Sequence, residues 1–194
     1  RELEKLGAEI VPANLGDQAS LEKAVGGVDA VVHVAGLFDL AAPAEKLDAI
    51  NHQGPRNICE AVLKKAPNLE RFVQVSTVGV YGKPARCPCR EDDPKRPRNN
   101  YEKTKWKGEM AAFEYHKKEG LPVAALRPTL IYGPNASYGH AMFIAALCLY
   151  KINVSNTLYG LRSGPLSSHV HIDDVGRAAA ILGKNGKALG RSFN

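Results

Sequence analysis

Three short apolar runs, the first rich in valine, each set off by stretches of helical periodicity, constrain this fold more than any other feature. Val28 to Val34, Arg71 to Thr77 and Pro122 to Leu126 carry little polar interruption. Runs of that kind read as strands buried on both faces, the situation in parallel sheets covered by helices. Around them lie helical segments. Arg1 to Leu6 is closed by Gly7, and a short helix is opened by Asp17 or Ser20 and closed by Gly26 and Gly27. A long helical region runs from Ala44 to Ala66, and another from Tyr101 to about Lys118 with Gly120 as its stop. Pro55 removes a backbone donor inside the first of these, so a kink or restart is expected there. Ala8 to Val11 and Ser168 to Ile172 are expected as further strands, and Gly139 to Tyr150 and Asp173 to Leu182 as helices. Alternation without an internal repeat or linker predicts an α/β fold: a Rossmann-like, doubly wound parallel sheet.

Ligands of such sheets bind beyond the carboxyl ends of the strands. Polar or conformationally special residues stand at those ends here: Asn14, Ala35-Gly36, Ser76-Thr77 and Arg127-Pro128-Thr129. Their convergence on one edge predicts a cleft. Nearby in sequence, Tyr101 and Lys105 sit four apart on a predicted helix, hence on one face. A phenol titrates near ~10 and is a poor base at neutral pH. An adjacent ammonium favours the phenolate and draws it toward the working range. The pair alone is a pattern any amphipathic helix can show; its neighbours give it meaning.

Charge and cysteine content narrow the classes. The net charge of +6 is concentrated between Lys83 and Lys107, including Lys95-Arg96-Pro97-Arg98. No nucleic-acid recognition motif accompanies it, so it reads as a solvated loop or as an attraction for a phosphorylated small molecule. Cys59, Cys87, Cys89 and Cys148 lack the second pair or the histidines a zinc site needs, and no metal is expected. Reduced thiols and the lack of a leader or a bilayer-length apolar run suggest a cytoplasmic protein with no membrane partner.

Six motifs, in order, resemble the extended branch of the short-chain dehydrogenase/reductase superfamily, which includes NAD-dependent sugar-nucleotide epimerases and dehydratases and 3β-hydroxysteroid dehydrogenase-like enzymes. They are Val31 to Gly36, Asn51 to Gly54 (Asn-x-x-Gly), Val75 to Gly82, the Tyr101/Lys105 pair, Leu126 to Pro134, and Val170 to Val175. The resemblance implies an NAD(P)-dependent dehydrogenase or epimerase acting on a hydroxyl or keto group of a sugar nucleotide, steroid-like or related small molecule. It assigns Tyr101 as general acid/base, Lys105 as the group that lowers its pKa and binds the nicotinamide ribose, and Thr77 as the substrate-side hydroxyl. Asn51 is a candidate for a proton-relay water network, with helix packing as its alternative. Asn14 and Leu15 fall beside the adenine, Ala35 and Gly36 along the cofactor, Ser76 on the nicotinamide side, and Pro128 to Ile131 against the carboxamide. His33 and His171 are read as structural. A homodimer through the helices of 51–65 and 101–118 is implied for the full-length protein.

The departures are as informative. No Gly-x-x-Gly-x-x-Gly turn is present to hold a pyrophosphate at a helix N-terminus. The chain therefore reads as one partial domain lacking the first βαβ strands and most of the substrate lobe, with 134–166 and 190–194 at the lobe's start. NAD and NADP cannot be separated without the second strand. Asn14 stands where Asp is usual, and Pro55 where Thr is. The 4,6-dehydratases carry Asp-Glu after the catalytic threonine; Val78-Gly79 stand there, which disfavours dehydration and leaves net redox or epimerisation. The competing reading is a non-catalytic dinucleotide-fold sensor or interaction protein.

Overall fold

The computed structural model describes residues 2–134 and 168–194. Four parallel strands form the main sheet in the order β1 (Ala30–His33), β2 (Arg71–Val75), β3 (Val123–Leu126) and β6 (Ser192–Phe193). A second, two-stranded parallel sheet pairs β4 (Leu130–Tyr132) with β5 (His169–His171). The helices are α1 (Glu2–Lys5), α2 (Gln18–Ala24), α3 (Ala44–Asp48), α4 (Gly54–Lys65), α5 (Asn100–Glu119) and α6 (Ile172–Leu182). The helix expected over Gly139 to Tyr150, and Cys148 with it, lies outside the described residues.

All five residues of β2 are buried, because β1 and β3 flank it and helices cover both faces. Side chains alternate across a strand. Phe72 points into a core with Leu21 of α2, Cys59, Ala61 and Val62 of α4, and Ala112 of α5. Val73 points the other way, into a smaller core with Ala124, Leu126, and Ala179 and Leu182 of α6. Burying a side chain of that size contributes about 1.5–3 kcal/mol.

Two expectations fail at the same edge. Ala8 to Val11 is not a strand: Ile10 is 51% exposed and no ladder bonds form there. Extended backbone needs a neighbour for its N–H and C=O groups, and among the described residues none lies beside it. Val28 to Val34 is not buried on both faces either. The strand is confined to Ala30–His33, and Val32 and Val34 remain 43% and 64% exposed. Among the described residues β1 pairs only with β2, so Val32 and Val34 lie on an open rim while Val31 packs against the core.

The long helical region restarts as Pro55 demands. α3 ends in a π-helical turn, Ala49–Gln53, and α4 begins at Gly54 with Pro55 in its first turn. That turn presses against α5: a Cβ on Gly108 would collide with the Asn51 carbonyl oxygen. Glycine at 108 is what lets the two elements approach so closely. α5 itself is capped by Asn99, whose Oδ1 accepts from Glu102 N at 2.8 Å, and ends at Gly120 with φ +73°. No helix among the described residues is long and apolar enough to cross a membrane.

Candidate active site

The carboxyl ends of β1, β2 and β3 lead into Ala35-Gly36, Ser76-Thr77 and Arg127-Pro128, and α5 brings Tyr101 and Lys105 to the same edge. Lys105 reaches under the end of β2, its Nζ donating to the Val75 carbonyl at 2.7 Å. It is 6% exposed, and burial pulls its pKa down to about 8, with partial compensation from Glu109 one turn along. Gly36 leaves room for the ammonium: a Cβ there would stand 3.5 Å from Lys105 Nζ and 3.2 Å from Asn51 Oδ1.

Tyr101 is half-buried in the first turn of α5, with Phe38 edge-on to its ring at 4.9 Å between centroids. Thr77 Oγ1 accepts from Gly79 N at 3.1 Å and so opens the 3₁₀ turn Val78–Tyr81. That turn lies against α5 beside Tyr101, since a Cβ on Gly79 would sit 3.1 Å from Glu102 Cγ. Ser76 is 4% exposed, and its Oγ has no partner. Pro128 is buried and accepts from Val78 N at 3.1 Å.

Asn51 is fully engaged. Its Oδ1 accepts from Leu37 N at 2.8 Å, while Nδ2 donates to Leu37 O at 3.0 Å and to Thr104 Oγ1 at 3.3 Å. It clamps the loop after β1, the loop that carries Phe38, onto α5. Asn14 is exposed and closes its own turn, Oδ1 accepting from Gly16 N at 2.8 Å. Leu15 packs on Gly54 at the head of α4, and its carbonyl accepts from Asn57 Nδ2 at 2.7 Å. Ile131 stands apart from β1 to β3, in the two-stranded sheet, 42% exposed.

Sequence reasoning missed a second charged centre on α5. Glu109, 0% exposed, accepts from Arg127 Nε at 3.1 Å and NH2 at 2.5 Å, and from Ser192 Oγ at 2.9 Å. Arg127 also donates to the Tyr81 hydroxyl and to Glu91 O, and Tyr81 in turn donates to Asn194 Oδ1 at 2.8 Å. This network straps the loop of 83–99 across the ends of β3 and β6. Several of the loop's basic side chains are engaged: Arg86 pairs with Asp93 at 2.6 Å, Lys95 Nζ donates to Glu91 O, and Arg98 pairs with Glu102 at 3.7 Å. An acid four residues after Lys105 and one residue after Gly108, on the helix face of Ala112, was the available signal for Glu109. Among the described residues no cluster of histidine, cysteine, aspartate or glutamate could hold a metal.

The model of the NAD dependent epimerase/dehydratase family matches residues 1–194. The chain is 29% identical over 177 residues to a dTDP-glucose 4,6-dehydratase of Streptomyces griseus, covering 89% of this chain and 52% of that protein. It is 28% identical over 203 residues to cinnamoyl-CoA reductase 1 of Petunia hybrida, covering 98% of this chain and 59% of that protein. Its fold superposes with a TM-score of 0.76 on a dTDP-glucose 4,6-dehydratase double mutant from Streptomyces venezuelae solved with NAD bound, at 26% identity and covering 93% of this chain and 56% of that one. The chain thus spans about half the length of these relatives.

Proposed function

This chain belongs to the NAD dependent epimerase/dehydratase family, and from that premise we propose that it carries the proton-transfer centre of an NAD(P)-linked oxidoreductase or epimerase acting on a hydroxyl or keto group. The observation that carries the reading is the Lys105 ammonium, buried at the end of β2 and four residues from Tyr101. A buried cation with a depressed pKa is a poor structural element and an effective electrostatic one. It favours the phenolate of Tyr101, so the tyrosine can take a proton from an alcohol or return one to a ketone. Thr77 supplies the second hydroxyl on the substrate oxygen.

The residues present fit the nicotinamide end of a dinucleotide. Ser76 Oγ is buried without a partner, Lys105 has N–H donors beyond the one Val75 takes, and Gly36 keeps a Cβ out of the space beside the ammonium. Ser76 would meet the carboxamide side, Lys105 the ribose hydroxyls, and Ala35-Gly36 the passing backbone. The bound cofactor would accept or return the hydride. Its hold on the pyrophosphate is not provided by a glycine-rich turn of this sequence.

Dehydration is not part of the proposal. Val78 and Gly79 carry no acid or base, Gly79 has little room for a side chain, and the neighbouring Glu102 carboxylate already accepts from Arg98 N. Net redox or epimerisation remains, on a sugar nucleotide, a steroid-like alcohol or a related small molecule. We assign self-association of the whole protein to the exposed groove of about 410 Å³ between the π-turn, α4 and α5, where Met110 is 41% exposed.

Turnover with saturating nicotinamide cofactor and a panel of nucleotide-linked sugars, steroid alcohols and thioesters tests the reading. Tyr101→Phe is expected to lower kcat by about 10²–10⁴-fold. Unchanged turnover in that variant contradicts the proposal, and no turnover with any substrate in a fully folded whole protein supports the sensor reading instead.

A further inference from the structure

Three buried polar atoms without a partner lie on the sheet face that carries Lys105: His33 Nε2, Gln74 Oε1 and Ser76 Oγ. His33 and Gln74 are register partners on β1 and β2, so their side chains leave the same face. That face is the one on which Phe72 packs beneath α4 and α5, and the His33 and Phe72 rings lie 6.4 Å apart. Gln74 Nε2 donates to the Val75 carbonyl at 3.3 Å, the oxygen that also accepts from Lys105 at 2.7 Å. Both side chains therefore meet at one point. His33, 3% exposed, is held neutral, its pKa pushed down to about 4 by burial and by the Lys105 charge.

A buried polar atom left unpaired costs about 1–3 kcal/mol, so three in one place require an explanation. An ammonium has three donors. Val75 takes one, and the Asn51 amide on the neighbouring π-turn has its oxygen and nitrogen engaged by Leu37 and Thr104. Ser76, at the cleft end of β2, is left for the cofactor. A single water resolves the rest: it accepts from Lys105 Nζ and donates its two hydrogens to His33 Nε2 and Gln74 Oε1. Both orphaned acceptors are then satisfied, with His33 in the tautomer protonated on Nδ1.

We propose that His33 and Gln74 are positioning residues for Lys105, holding its ammonium through one buried water so that it faces Tyr101. The inference rests on the reading of Lys105 as the partner of Tyr101, but its test needs neither substrate nor cofactor. The titratable groups facing Lys105 are His33 on β1 and Tyr101 and Glu109 on α5; Gln74 and Asn51, from β2 and the π-turn, do not ionise.

The experiment follows the Lys105 side chain by NMR across a pH titration of the chain in a Tyr101→Phe background, which removes coupling to the phenol. Replacing His33 by Phe, or separately Gln74 by Leu, takes an acceptor from the water and weakens its hold on the ammonium. Each is expected to lower the Lys105 pKa by on the order of one unit, while His33→Gln, which keeps an acceptor, restores part of the shift. Near-ultraviolet circular dichroism identifies folded variants, and a purely structural His33 would leave the titration unmoved. If Lys105 titrates identically in the parent and in either folded variant, the proposal is wrong. Failure of the Tyr101 turnover test would leave this result standing, so the two readings fail separately.

Discussion

Helix α5 carries three buried charges, and two of them, Lys105 and Glu109, one turn apart, are treated in opposite ways. Glu109 is surrounded: Arg127 grips it with two nitrogens and Ser192 donates a third hydrogen bond. Lys105 is left with the Val75 carbonyl, and its pKa falls to about 8. A fully satisfied buried pair fixes geometry. A partly satisfied cation retains field and donors for something else, and that difference separates the structural end of the helix from the end to which we assign the proposed chemistry.

The largest effect is expected at the satisfied charge. Glu109→Gln leaves the Arg127 guanidinium, 2% exposed, without its counter-ion. Chemical denaturation is expected to show a loss of about 3–5 kcal/mol. A loss near that of a surface substitution would mean that the network around Tyr81 and Glu91 holds Arg127 without Glu109.

The opposite sign is expected at Lys105. An unfolded lysine keeps its proton to about pH 10.4, whereas the folded one releases it near 8, so the folded state is penalised for the charge below pH 8. Lys105→Met should therefore stabilise the fold at neutral pH by roughly 1–3 kcal/mol. That gain should shrink as pH rises from about 8 and vanish near 10.4, which paired denaturation curves would show. A destabilised Met variant at neutral pH would mean that the ammonium is better solvated than its surroundings indicate.

A smaller effect sharpens the role of the helix start. Asn99 caps α5 two residues before Tyr101, and Asn99→Ala should cost about 1 kcal/mol by thermal denaturation. If the first turn frays, turnover should fall more than stability does, because Tyr101 lies in that turn.

What the sequence made legible follows from how local each determinant is. β2 was readable because its burial comes from strands and helices that its own apolar run predicts. The caps were readable too: Asp17, whose Oδ1 accepts from Ala19 N, and Gly120, with its positive φ, act within a few residues. Val28 to Val34 and Ala8 to Val11 were misread because an apolar run reports what a segment can bury, not whether a neighbour is there to bury it. The clamp of Asn51 on Leu37 and the Glu109–Arg127 pair join residues 14 and 18 apart through the fold, and no periodicity encodes them. Tyr101, Lys105, Ser76, Thr77 and Gly36 are candidates singled out by motif, and their placement at one edge of the sheet is a consequence of topology.

The most direct measurement is the titration of Lys105 itself in the unmodified chain, followed by NMR of its side-chain resonances. A midpoint near 8 is expected, with the folded chain intact on both sides of it. A midpoint at the ordinary lysine value would show an ammonium at ease in its surroundings, and the electrostatic role assigned to it beside Tyr101 would be contradicted.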